Sequence, residues 1–170
     1  MNPRLITLTL IIFAIAVFRL FPHPPNFSPV AAMALFGGAY FTDKRIAFIV
    51  PLAALLLSDI LLGLHDTMVY VYAGFALTVA AGFWVGRRIG AGRIALAVVG
   101  SSVLFFVLSN FGVWVTSGLY PMTVEGLLQA YVAAIPFFQN SLLGNAVFTA
   151  LLFGGFHALQ RSVPALADQA

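Results

Sequence analysis

The chain of 170 residues contains no cysteine and few charged residues. Without cysteine there can be no disulfide, no thiolate metal ligand and no cysteine nucleophile. Charged residues make up only 8% of the chain, which is too few to cover the water-facing surface of a soluble domain. Hydrophobic residues make up 62%, and the mean hydropathy is +1.04. We therefore predict that most of the protein surface faces the lipid bilayer.

The short motifs of common enzymes and nucleotide-binding proteins are also missing. The sequence has no His-Glu-x-x-His pattern, no Gly-x-Ser-x-Gly turn and no phosphate-binding loop of the Walker type. The three histidines are far apart, which gives little support to a histidine metal site. We expect no catalytic residue, no metal and no cofactor in this chain, and any ATPase would have to be a separate chain.

The positive charges are distributed as in a multi-pass membrane protein. If the chain crosses the bilayer six times from the cytoplasm, one cation, Arg19, falls on the outer side and the other seven fall on the cytoplasmic side. These seven are Arg4, Lys44, Arg45, Arg87, Arg88, Arg93 and Arg161. Single and paired cations at helix ends are a membrane orientation signal, so we predict no nucleic-acid partner. On this arrangement both termini are predicted to be cytoplasmic.

The apolar runs predict an all-α integral membrane protein with a single domain over residues 1–170. Six transmembrane helices are expected, with Pro136 opening the sixth and a separate short interfacial helix over 124–134. The second segment is short, because 13 residues at about 1.5 Å each cover about 20 Å of a hydrocarbon core about 30 Å thick. If the second segment were re-entrant, the chain would cross the membrane five times, and seven of the eight cations would still lie on one side. The small residues of the second segment suit close packing inside a bundle, which favours six crossings. The predicted helices are approximately 5–21, 29–41, 45–64, 68–85, 94–115 and 136–159.

Polar residues concentrate at the predicted outer end of this bundle. Arg19 and Asp59 lie near the outer edge of the hydrocarbon, where ionisable groups usually face a bundle interior or a wet cavity. They either pair with each other or line a substrate cavity. The loop that follows Arg19 holds four prolines, which could preorganise a binding loop or simply end two helices. The predicted substrate-binding residues are Asp59, His23, Asn145, Asn110, Tyr72, Trp114, Arg19, Asn26 and His65.

Several of these residues also have a simpler, structural explanation. Asn26 and Ser28 could cap the second helix, and His65 could be a solvated turn residue. Tyr72 and Trp114 fit an aromatic belt at the membrane interface. Ser102 and Thr149 are expected to make interhelical hydrogen bonds.

Four stretches resemble a family of small bacterial membrane proteins that are described as transport proteins. The stretches are RLFPHPPNFSPVAAMALFGGAYF (19–41), LLLSDILLG (55–63), SNFGVW (109–114) and YVAAIPFFQNSLLGN (131–145). Such proteins look like the substrate-binding S components of energy-coupling-factor vitamin transporters. The resemblance implies six helices, an outward-opening cavity with loops one, three and five as its lid, and a separate ATPase and coupling module. It also implies a location in a bacterial cytoplasmic (inner) membrane. The nearest group is the solitary cobalamin-type S component, which contacts the corrinoid metal through a cysteine that this chain lacks.

The sequence therefore favours a membrane protein that binds a small micronutrient for uptake, such as a vitamin or its precursor, in an aromatic-lined cavity. Two other functions remain open. A ligand-free accessory or assembly protein would pair its outer polar groups with one another and leave no cavity. An intramembrane enzyme would need a nucleophile beside a base, for which Ser58 next to Asp59 is the only candidate.

Overall fold

The computed structural model describes residues 2–166, and the prediction of an all-helical protein is confirmed over these residues. Six α-helices are joined by short loops, with one 3₁₀ turn after the first helix and another after the last. The helices are α1 (Pro3–Ala16), α2 (Val30–Tyr40), α3 (Lys44–Leu62), α4 (Met68–Gly86), α5 (Ala91–Thr116) and α6 (Val124–Ser162), and the 3₁₀ turns are Val17–Leu20 and Pro164–Leu166.

Five of the helical segments are long and apolar enough to cross a membrane, namely α1 with its 3₁₀ turn, α3, α4, α5 and α6. Their outward faces carry large apolar side chains. Leu61, Val69 and Leu96, for example, are each about 70% exposed. Water would strongly disfavour a surface this apolar, and lipid would not. The fold is thus consistent with an integral membrane protein.

Seven of the eight lysines and arginines lie at one end of the bundle, which we call the basic end. It is formed by the start of α1, α3 and α5 and the end of α2, α4 and α6. Three of the cations lie over aromatic rings there: Arg4 over Phe156 at 5.9 Å, Lys44 over Phe83 at 5.8 Å and Arg93 over Trp84 at 5.0 Å. The eighth cation, Arg19, lies toward the opposite end, which we call the cavity end.

The short helix α2 lies inside the bundle and is buried along almost its whole length. Close packing against α4 through glycine makes this possible. A Cβ atom placed on Gly82 would lie 2.6 Å from the carbonyl oxygen of Leu35 and 2.8 Å from Cα of Gly38. Eleven residues reach only about 17 Å, less than the hydrocarbon thickness. Such a short helix can stay at membrane depth only where protein surrounds it.

The last helix differs from its prediction. Pro136 does not open it, and the expected interfacial helix over 124–134 is its first part; α6 runs unbroken from Val124 to Ser162. Thr123 caps it, accepting a hydrogen bond from the amide of Gly126 at 3.2 Å. Proline removes one helical hydrogen bond at a cost of about 3 kcal/mol, whereas ending a helix in hydrocarbon would expose several backbone groups at several kcal/mol each. Continuing the helix is the less costly arrangement.

Candidate functional site

The cavity end contains a polar cavity of about 290 Å³. Every helix except α1 contributes to its wall, and the 3₁₀ turn that follows α1 contributes Arg19. The loop between that turn and α2 covers one side, and the α3–α4 loop adds a histidine. The lining residues are Arg19, His23, Asn26, Ser28, Val30, Ala31, Leu62, His65, Val71, Ser102, Phe105, Ser141 and Asn145. Phe105 supplies the one benzene ring among them, so the lining is not the expected aromatic one: eight of the thirteen residues are polar, although apolar atoms form most of the lining surface.

The proline-rich loop is folded into a tight turn that is fixed to α6. The amide of Phe27 donates to the carbonyl oxygen of Pro24 at 3.0 Å, and Asn26 has a φ of 63°. Proline followed by a residue with positive φ is the pattern of a type II turn, and asparagine tolerates that conformation better than most residues. The side chain of Asn140 donates to the carbonyl oxygen of Pro25 at 3.0 Å. The loop is therefore held in place before any ligand binds.

Two further contacts orient this loop toward the cavity. The ring of His23 stacks on Phe18 with 5.5 Å between centroids, and its Nδ1 donates to the carbonyl oxygen of Pro24 at 3.0 Å. In the neutral ring this leaves Nε2 as a hydrogen-bond acceptor. Gly144 of α6 lets the backbone approach closely, because a Cβ atom there would lie 3.0 Å from the amide nitrogen of Ser28.

Arg19 and Asp59 form a buried ion pair beside the cavity. Nη2 of Arg19 lies 2.7 Å from a carboxylate oxygen of Asp59, whose side chain is 2% exposed. The hydroxyl of Tyr72 donates to the other carboxylate oxygen at 2.9 Å. Nη1 of Arg19 donates to Ser58 Oγ and to the carbonyl oxygen of Leu55. The charge of Asp59 is thus balanced within the protein, and only Arg19 of the pair lines the cavity.

A second polar cluster lies at the cavity wall between α5 and α6. The amide nitrogen of Asn145 lies 3.1 Å from the carbonyl oxygen of Val98, 3.1 Å from Ser101 Oγ and 3.0 Å from Ser102 Oγ. The hydroxyl of Thr149 donates to the side-chain oxygen of Asn145 at 3.2 Å. These hydrogen bonds join the two helices and satisfy polar groups that are almost fully buried.

Replacing Asn145 with alanine is expected to lower the free energy of unfolding by about 1–3 kcal/mol, because Ser102 and the carbonyl of Val98 then lose a buried partner. Ser141→Ala is the matched control. Its hydroxyl also lines the cavity but bonds only within α6, to Phe137 at 3.2 Å. The free energy of unfolding of both variants is measured by titration with sodium dodecyl sulfate. Equal stability of the two variants would contradict a structural role for the Asn145 cluster.

The structure brings five of the nine predicted site residues to the cavity: Arg19, His23, Asn26, His65 and Asn145. Asp59 and Tyr72 lie behind Arg19, in the ion-pair cluster. The side chain of Asn110 donates to the carbonyl oxygen of Phe106 on its own helix at 2.8 Å. Trp114 donates to the carbonyl oxygen of Pro121 at 2.9 Å and packs near Phe111. These last two are outside the cavity lining.

A family model that covers residues 1–166 matches the chain; its description is a family of unknown function, DUF6580. The protein belongs to this family. No curated protein and no solved structure matches the chain.

In this DUF6580 member, three serines that the sequence does not single out as site residues line the cavity: Ser28, Ser102 and Ser141. The sequence pattern suggests Ser28 only as a cap of α2, and Ser102 only as an interhelical bonding residue. The structure gives α2 no side-chain cap, and the hydroxyl oxygen of Ser28 has no hydrogen-bond partner within residues 2–166. The unpaired hydroxyl of Ser28 could not be predicted from the sequence, because it depends on where Pro29 places the first turn of α2.

Within residues 2–166 there is no group of three or more His, Cys, Asp or Glu side chains that could hold a metal ion. His23 and His65 both line the cavity, but of the described residues no carboxylate joins them there. The chemistry that this site offers is hydrogen bonding from side chains that can both donate and accept, together with the cationic Arg19.

Proposed function

We propose that this protein is a membrane substrate-binding protein that takes up a small micronutrient through an outward-facing cavity. The observation that carries the proposal is the preformed polar cavity of about 290 Å³, bordered by a loop that α6 holds in place. Ligand sites are typically concave and largely preformed, with a few converging polar groups.

The distribution of positive charge supports an orientation in which the cavity end faces the outside of the cell. Cytoplasmic ends of membrane helices are enriched in lysine and arginine, and the seven cations of the basic end fit that rule. On this basis the basic end faces the cytoplasm and the cavity opens outward, with α2 completing a sixth passage through the bilayer inside the protein. Both termini would be cytoplasmic; Met1 and residues 167–170 lie outside the described residues.

The cavity volume favours a small ligand. Sites for drug-sized molecules span about 300–1,000 Å³, and this cavity is at the lower limit. A corrinoid is much larger than such molecules, so the cavity favours a compound with one or two rings over a cobalamin-like substrate. Of the three loops expected to form a lid, the first and second supply lining residues, and the third, between α5 and α6, supplies none.

Transport through this chain would require energy from another component. The resemblance to S components suggests a separate ATPase and coupling module, and the basic end is the surface where such a cytoplasmic module would bind.

An accessory or assembly protein without a ligand is the second candidate. It is favoured by the internal pairing of Asp59 with Arg19 and Tyr72, which leaves that carboxylate nothing to offer a substrate. The cavity argues against it. For an intramembrane enzyme the geometry gives less support, since Ser58 donates to the carbonyl oxygen of Leu55 at 2.7 Å rather than to Asp59.

The proposal is tested by identifying what copurifies with the protein. We expect mass spectrometry of the detergent-solubilised protein to detect a stoichiometric small molecule of one or two rings, and the protein should unfold at a higher temperature when it is added back. A protein that purifies without any such compound, and that no nutrient from a panel stabilises, would favour the accessory function.

The variant Asn26→Gly separates ligand binding by the side-chain amide of Asn26 from the contribution of Asn26 to the backbone turn. Glycine keeps the positive φ of 63° without strain and removes the side chain that lines the cavity. We expect unchanged thermal stability and an approximately five- to tenfold weaker affinity for the copurified compound, the loss of about one hydrogen bond. Asn26→Val, which disfavours positive φ, is expected to lower stability as well. Full affinity in Asn26→Gly would remove this residue from the site.

A further inference from the structure

The first turn of α2 is buried and has no cap. The N-cap residue is Pro29, which has no side-chain hydrogen bond to offer, and the first hydrogen bond of the helix runs from the amide of Met33 to the carbonyl oxygen of Pro29. The amides of Val30, Ala31 and Ala32 therefore lie before the first helical hydrogen bond. None of these three amides has an acceptor among residues 2–166. Val30 is 8% exposed and Ala32 is 0% exposed. A buried helix end with free amides requires a partner from outside the helix.

Ser28 is a second, independent sign that a partner is missing. Its hydroxyl oxygen is buried and makes no hydrogen bond in the described part of the chain, although Ser28 lines the cavity. Leaving a buried hydroxyl unpaired is costly, so native proteins rarely do so. Gly144 of α6 packs against the backbone of Ser28, and the cavity that Ser28 lines is the open side from which a partner can approach.

The charged side chains around the cavity do not oppose a negatively charged partner. Of the described residues none that lines it is acidic, and Arg19 lines it while its charge is balanced by Asp59 behind it. The start of a helix carries a partial positive charge, and its amides bind anions well where water is excluded. Ser102 has a hydroxyl that accepts from Asn145 and still has its own proton to donate.

We propose that the start of α2, together with Ser28, binds a carboxylate group of the substrate. The ligand would be a small monocarboxylate whose oxygens accept hydrogen bonds from the amides of Val30 and Ala31, which both line the cavity, and from Ser28 Oγ, with Arg19 nearby on the wall. This inference rests on the proposed substrate-binding function and specifies the chemical class of the substrate.

The test compares benzoate with benzamide, which has nearly the same shape but no charge, on the full-length protein in detergent. We expect benzoate to bind about tenfold more tightly, as a charge-assisted hydrogen bond is about twice as strong as a neutral one. Ser28→Ala should weaken benzoate severalfold and benzamide less, because the neutral amide oxygen accepts a weaker hydrogen bond from the same hydroxyl. Ser28→Asp should supply its own carboxylate to the amides, raise the melting temperature without ligand and abolish benzoate binding. Ser162→Asp, at an exposed serine of the basic end, is the control for the added charge; it should bind benzoate as the wild type does and should not raise the melting temperature.

The outcomes separate this inference from the proposed function. Equal affinities for the two probes, no binding of either, or benzoate binding that persists unchanged in Ser28→Ala would overturn the carboxylate site. If the copurified compound proves neutral and binds Ser28→Ala normally, the carboxylate site is wrong and the substrate-binding function stands. If nothing copurifies and neither probe binds, both are wrong.

Discussion

Replacing Asp59 with asparagine is expected to lower the free energy of unfolding by about 3 kcal/mol, because Arg19, whose side chain is only 16% exposed, then keeps its positive charge without a counter-ion. The isosteric amide can still accept from Tyr72, so the loss comes from the uncompensated charge. Unfolding is measured by titration with sodium dodecyl sulfate. Asp59→Asn and Gly82→Val should destabilise the protein more than the other single substitutions.

A double-mutant cycle isolates the ion pair. Arg19→Gln with Asp59→Asn removes both charges, and the double variant should be more stable than Asp59→Asn alone, with a coupling energy of at least about 1 kcal/mol. The sequence leaves open a different result, in which Asp59 contacts the ligand. In that case Asp59→Asn would retain wild-type stability and lose affinity for the copurified compound, and the structural assignment of the pair would be wrong.

Replacing Gly82 with valine is expected to prevent α2 from packing against α4, at a cost of at least about 3 kcal/mol. The first added carbon alone would lie 2.6 Å from the carbonyl oxygen of Leu35, which is backbone and cannot rotate away. Overpacking of a well-filled core usually costs about 1–3 kcal/mol, and the two further methyl carbons enlarge the conflict. Reduced yield of monodisperse protein and a lowered melting temperature would both report the effect.

Gly100 in α5 provides the control for this substitution. A Cβ atom there meets nothing within 4 Å, so Gly100→Ala should be neutral or stabilise the helix by up to about 1 kcal/mol. Gly82→Ala should fall between the control and Gly82→Val. If Gly82→Val and Gly100→Ala were equally stable, the close approach of α2 and α4 would not describe the protein.

Helices are predictable from the sequence because long apolar runs end at proline, glycine or paired cations. The starts of α3 and α4 are each within one residue of their predictions, and the ends of α3 and α4 lie within two. The predicted start of α6 is wrong because proline is common at the first position of a helix, and Pro136 is not at one. Its neighbours instead pack against α5, where Phe106 contacts both Tyr131 and Phe138, and a single missing hydrogen bond does not outweigh that packing.

The site is predictable in its location but not in its contacts. Ionisable and amide groups near one end of the bundle indicate the region in which the cavity lies, since such groups are rarely left facing lipid. Asp59 could face either the cavity or Arg19, depending on how α3 is rotated about its axis. No local sequence pattern determines that rotation. The unpaired hydroxyl of Ser28 depends on the cap geometry of α2, which is equally invisible in the sequence.

The burial of α2 also has a consequence for biogenesis. Because α1 ends at the cavity end and α3 starts at the basic end, the chain between them must cross the thickness of the protein. Eleven residues are too few for a helix to partition into the bilayer by itself. During synthesis this segment therefore gains its stable position only after α4 has emerged and offers Gly82, so the second helix made is inserted no earlier than the fourth. A chain truncated before α4 should leave α2 accessible to water-soluble labelling reagents.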